Sequence, residues 1–147
     1  MYLFKEAKMR TAKLLVLIAL AAVMLAAAWL LPERLCFDGG ESYTFYCGTS
    51  SADCREVTVT ERAAAVKLSL KDVCGEAAVY ENFDLDSFLK KVGGKVVFTE
   101  ELSDSVNYYC TADLPYFVTL YGQKINLHIC VRGNSAKTAS PIIFGGY

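Results

Sequence analysis

The chain is poor in the residues that usually advertise chemistry. It has one histidine, one tryptophan and three prolines among 147 residues. With one histidine, and with the nearest cysteines (Cys47 and Cys54) separated by six residues, it lacks the close Cys or His pairs of a structural zinc site. No G-x-S-x-G elbow occurs. Gly93-Gly94 and Gly145-Gly146 lack the Lys-Ser/Thr that completes a phosphate loop, and Asn134-Ser135-Ala136 misses a glycosylation acceptor by one position. Excess charge of either sign is missing as well: the net is −1, without the basic footprint of nucleic-acid binding. These absences leave no metal, no cofactor and no nucleic acid among the expected ligands. A hydrophobic content of 54% with 12% aromatics excludes disorder for most of the length.

What the chain does have is one long apolar run. Leu14–Leu31 is 18 residues without a charged side chain. At a rise of ~1.5 Å per residue a helix of that length spans about 27 Å, close to the hydrocarbon core of a bilayer. Ala, Leu and Met favour helix, Trp29 falls where an interfacial aromatic belt lies, and Pro32 stops the helix. Residues 1–13 carry Lys5, Lys8, Arg10 and Lys13 against Glu6, a net of +3, so the remainder carries −4. The positive-inside rule then predicts a cytoplasmic basic tail (1–13), a transmembrane helix or uncleaved signal anchor (14–31) and a juxtamembrane linker (32–40). An extracytoplasmic domain (41–147) follows. Ala26-Ala27-Ala28 offers a signal-peptidase site, so the alternative is a domain secreted after cleavage near Ala28.

The cysteines agree with export. Cys36, Cys47, Cys54, Cys74, Cys110 and Cys130 all follow the apolar run, and an even count in an exported domain points to disulfides. Cys47 and Cys54 bracket a run of turn formers and are a candidate bridge. Cys110 and Cys130, on two strands of one sheet, are another.

The pattern of the exported part predicts an α+β fold with a mainly antiparallel sheet and one or two helices. Ser42–Cys47 and 57–60 read as strands. Thr60 precedes a stretch with Ala63, Val66, Leu70 and Val73 at helical spacing, and Gly75 stands as its C-cap; a strand is the competing reading there. Residues 76–80 read as a strand. Asp84 caps a short helix holding Leu85, Phe88, Leu89 and Val92 on one face, ended by Gly93-Gly94. Lys95–Glu101 and 105–111 form a hairpin around Leu102-Ser103-Asp104. Residues 116–121 and 124–132 form a second hairpin, and 137–144 a last strand placed at an edge by Pro141. Phe88, Leu89, Val96, Phe98, Ile125, Leu127 and Ile129 are the expected core.

Alternation over Ile125–Val131 puts Asn126, His128 and Cys130 on one strand face. Residues two apart on a strand point side by side at ~6.5–7 Å, too far for the ~3 Å contact between a nucleophile and its base. The non-enzymatic reading is therefore preferred. A thiol-dependent enzyme or redox module using Cys130 and His128 is the alternative. The expected interaction surface comprises Tyr108, Tyr109, Glu101, Asp104, Asn126 and His128, since tyrosine is enriched at interfaces and the acidic residues crowd a hairpin end.

The stretches ELSDSVNYYC (Glu101–Cys110), INLHICVR (Ile125–Arg132) and SPIIFGGY (Ser140–Tyr147) resemble segments of small membrane-anchored proteins of Clostridia-type Gram-positive bacteria. The resemblance covers most of the exported part. That group carries no known activity, so it implies no catalytic residue; it implies a bacterial cell-envelope location. The expectation is a membrane-tethered envelope domain, held by residues 14–31 and binding another envelope protein or a wall component.

Overall fold

The computed structural model describes residues 2–30, 35–49 and 53–145. Two units separate, Met1–Arg34 and Leu35–Tyr147. The first contains helix α1 (Tyr2–Leu30), which runs through the apolar stretch. Its described side chains are those of residues 12–28, and Leu14, Leu17, Val23 and Leu25 are all exposed. Among the described residues no helix is long and apolar enough to cross a membrane; the span 14–31 reaches beyond the described side chains. The helix stop at Pro32 and the placement of the Trp29 side chain lie outside the described residues.

The second unit is α+β. Its strands are β1 (Ser42–Cys47), β2 (Arg55–Val59), β3 (Val73–Tyr80), β4 (Lys95–Glu101), β5 (Val106–Thr111), β6 (Val118–Leu120), β7 (Gln123–Ile125), β8 (Leu127–Arg132) and β9 (Ser135–Ser140). Helix α2 (Ala63–Ser69) joins β2 to β3, and α3 (Leu85–Val92) joins β3 to β4. Seven strands form one antiparallel sheet in the order β2-β1-β3-β9-β8-β5-β4, and β6 with β7 makes a separate hairpin.

Local chemistry accounts for several boundaries. Asp84 Oδ1 accepts the Ser87 amide at 2.8 Å at the start of α3. Lys90 and Lys91 sit in its last turn, where the helix dipole favours cations, and Gly93 takes the left-handed conformation (φ 63°) that ends it. The β4–β5 hairpin closes with the Leu102 amide donating to the Ser105 carbonyl at 2.8 Å.

Other expectations are corrected by non-local contacts. Gly75 does not cap α2. It lies inside β3, where a Cβ would meet the Ser140 carbonyl oxygen at 2.9 Å, so a glycine lets β9 approach. Helix α2 ends earlier, at Ser69, and begins after a left-handed Arg62 with no side-chain cap, not at Thr60. The last strand stops at Ser140, before Pro141, and lies between β3 and β8; it is interior, not an edge. The second expected hairpin is broken at Asn126, separating β7 from β8. The folded unit also begins before residue 41. Phe37 is buried, and the Cys36 amide donates to Glu76 Oε1 at 2.9 Å.

Period-2 alternation divides the sheet into two faces. One is covered by α2, α3 and the Leu35–Phe37 segment, and its core holds Tyr43, Phe45, Phe88, Cys110, Leu127 and Ile129. The other is crossed by the segment after β9. There Phe144 meets Tyr46 edge-on, ring centroids 4.8 Å apart, beside Ala77 and Ala139. Phe88, Leu127 and Ile129 are buried together as expected with Leu89 half-buried against their cluster, while Ile125 is buried outside it. Val96 is exposed, and Phe98 turns to the second face, because a register shift between Val96 and Phe98 interrupts the alternation of β4.

Candidate groove on the open sheet face

That register shift builds the site. It sets Phe98 opposite Tyr109, and Tyr109 opposite His128, so three rings stand in a row across β4, β5 and β8. Phe98 and Tyr109 stack at 4.5 Å and 18°, Tyr109 and His128 at 4.4 Å and 15°. Parallel offset rings at that separation are favourable beyond their burial. The β6–β7 hairpin raises one wall, with Tyr121 meeting Phe98 edge-on at 5.8 Å while 93% exposed. Ile142 and Ile143 form the other wall. The groove between them has a volume of about 790 Å³ and contains one carboxylate, Glu100. Tyr109 donates its hydroxyl to Glu100 Oε2 at 3.3 Å; burial, then the charge of Glu100, raises its pKa.

His128 is held neutral at the floor. The Ile143 amide donates to Nδ1 at 3.2 Å, so Nδ1 is the acceptor nitrogen and Nε2 carries the hydrogen, directed at Asn107 Oδ1 at 3.0 Å. Burial pushes its pKa down to about 4. Both nitrogens are engaged, so no lone pair remains to take a proton from Cys130, which is itself buried.

Of the six residues expected to form an interaction surface, the structure brings only Tyr109 and His128 together in the groove. Tyr108 faces the other side of the sheet and packs on the core. Asn126 is buried and anchors the hairpin: Oδ1 accepts the Ala112 amide at 2.6 Å, and Nδ2 donates to the Ala112 and Leu114 carbonyls at 2.6 and 3.2 Å. Glu101 is exposed at the end of β4, and Asp104 pairs with Arg132 at 3.1 Å in the adjoining turn. Sequence reasoning missed Phe98, Tyr121 and Ile143. Their signal is the bulge and the turn geometry, including a left-handed Tyr121 (φ 50°), neither of which an alternation count detects.

All six cysteines are free. The expected pairs fail by strand parity. Cys110 lies opposite Leu127 and points into the helix-covered core, while Cys130 lies opposite Asn107 and points to the other face. Cys47 likewise belongs to the first face and Cys54 to the second. Burial raises the Cys110 thiol to about 11, and burial with the nearby charge of Glu76 raises Cys36 to about 12, so neither is a ready nucleophile.

A buried ion pair lies on the helix-covered face. Lys67 Nζ donates to Glu76 Oε2 at 2.6 Å, and the Tyr116 ring centroid is 5.6 Å from the same ammonium. Among the described residues no three His, Cys, Asp or Glu side chains converge to hold a metal. Compared with models of protein families, with curated proteins and with solved structures, the chain has no match.

Proposed function

We propose that the chain is a non-enzymatic, membrane-tethered domain of the bacterial cell envelope that binds an extended segment of another envelope protein. In this reading α1 is the single-pass anchor, with residues 1–13 cytoplasmic and the α+β unit outside. The support is the apolar run of 18 residues with its basic flank, and the resemblance to single-anchor proteins of Clostridia-type bacteria.

The observation that carries the binding reading is the ring ladder Phe98–Tyr109–His128 at the floor of an open groove, next to the sheet edge formed by β4. An edge strand offers main-chain donors and acceptors to an added strand, while side-chain pockets beside it supply selectivity. Aromatic edges and Glu100 favour a segment with apolar and basic side chains, and Glu101 extends the negative end of the same strand.

A photo-crosslinking residue in place of Tyr121 tests this in intact cells. A discrete adduct is expected, abolished by Glu100→Lys. No adduct, or one indifferent to Glu100→Lys, counts against the groove as the binding surface.

A further inference from the structure

We propose that Cys54 and Cys74 form an oxidation site, which a small-molecule or protein disulfide outside the cytoplasm converts to an intramolecular disulfide. The setting rests on the extracytoplasmic reading above; the pairing rests on geometry.

Cys47 ends β1 with Arg55 of β2 opposite it on one side and Val73 of β3 on the other. Cys54, immediately before β2, and Cys74, within β3, therefore stand next to those partners on the two sides of β1. Two features of β1 let them approach each other. Its register slips between Tyr46 and Cys47, and the next residue, Gly48, has no side chain to keep the flanks apart. A Cβ at Gly48 would meet the Asp53 carbonyl oxygen at 2.9 Å and the Cys54 Cα at 3.2 Å.

Both cysteines turn to the same sheet face and pack on the cluster of Tyr46, Ala77 and Ala139. The Cys74 thiol donates to the Tyr46 carbonyl at 3.4 Å, and its pKa is raised first by burial and then by the neighbouring Cys54. Both are partly accessible, whereas Cys47, Cys110 and Cys130 are buried. Cys36, also partly accessible, is spent on the other face beside Glu76. Among the six, Cys54 and Cys74 share a face, a cluster and access to solvent.

The chemistry is thiol–disulfide exchange. One cysteine loses its proton and attacks a sulfur of the oxidant disulfide, expelling one thiolate and leaving a mixed disulfide. The second cysteine, also deprotonated, attacks the protein sulfur of that bond and expels the other thiolate. The two expelled thiolates take up the two protons. The protein is oxidised by two electrons and the oxidant disulfide is reduced to two thiols. The product ties the start of β2 to the start of β3, beneath the Tyr46–Phe144 contact.

The test uses the full-length chain in mild detergent, equilibrated with oxidised glutathione, alkylated under denaturing conditions and digested. A linked peptide pair containing Cys54 and Cys74 is expected, with Cys36, Cys47, Cys110 and Cys130 alkylated. Cys47→Ser should keep the link, and Cys54→Ser should abolish it. Six alkylated cysteines, or a link through Cys47, would overturn the pairing. The setting is read separately, by acid-quenching intact cells before alkylation. A link formed by glutathione but absent in cells defeats the extracytoplasmic oxidation and leaves the pairing standing.

Discussion

Glu76 is the residue on which the most structure converges. It is fully buried, accepts the backbone amides of Cys36 and Phe37, and pairs with Lys67. Burial works to lower the Lys67 pKa, but the hydrogen bond to Glu76, with the nearby Cys36, Glu76 and Tyr116 groups, outweighs it and the net shift is upward. Removing one member of a buried pair strands the other, at a cost of about 3–5 kcal/mol. Glu76→Ala should show that loss in urea denaturation, with Glu76→Gln milder because it keeps an acceptor for the Cys36 amide. A cost below roughly 1 kcal/mol for Glu76→Ala would show that solvent already reaches the pair. His128 makes a separate prediction. Above about pH 6.5 the ring is neutral in folded and unfolded chains alike, so it leaves stability unchanged. As pH falls further, only the unfolded chain binds the proton, until the folded ring also does so near its depressed pKa of about 4. Stability from this group is therefore complete above pH 6.5 and falls by ~3 kcal/mol on the way to pH 4. Carbon-detected NMR titration of the imidazole checks it; a midpoint near 6.5 in the folded chain would refute the buried, doubly bonded ring.

At the scale of elements, the informative joint is Asn126. A strand running unbroken over 124–132 is what alternation alone supports. The chain instead leaves the sheet there, because one side chain satisfies the main chain of the incoming segment at Ala112 and Leu114. That frees β6 and β7 to form the groove wall that carries Tyr121. Asn126→Ala leaves buried polar groups without partners, at about 1–3 kcal/mol. Hydrogen exchange should rise first in β6 and β7, with β8 and β9 still protected; uniform loss across all four strands would mean that Asn126 holds the whole sheet, not the hairpin. Helix α3 shows the opposite situation. Its start at Asp84 and its end at Gly93 are legible in the sequence because both signals act within one turn of the helix.

For the whole molecule, the testable matter is which compartment receives the α+β unit and whether the apolar segment stays attached. Tyr121 is exposed enough to serve as a reporter. In intact cells, Tyr121→Cys should react with a membrane-impermeant maleimide without lysis, and the chain should stay in the membrane pellet after alkaline carbonate. Labelling only after lysis would place the unit in the cytoplasm. A mature chain starting between Ala27 and Leu31, recovered in the medium, would replace anchoring by secretion. Neither outcome depends on the groove, so topology and binding can fail independently.

The sequence by itself determined what depends on near neighbours: the apolar run, the basic flank, the capped helix α3, the β4–β5 hairpin and the α+β class. Those signals come from composition, from contacts three or four residues apart, or from alternation, all readable along one strand of text. Tertiary structure alone decided which faces meet. The slip between Val96 and Phe98 moved Phe98 out of the expected core and into a ring ladder, and the approach of Ser140 turned Gly75 from a presumed cap into a strand residue. Parity across paired strands separated Cys110 from Cys130, and Cys47 from Cys54, while Cys54 and Cys74 pack on the same cluster. The physical reason is common to all of these. A side chain's face is set by the register of its strand against partners tens of residues away, and one residue of slip sends it to the opposite side.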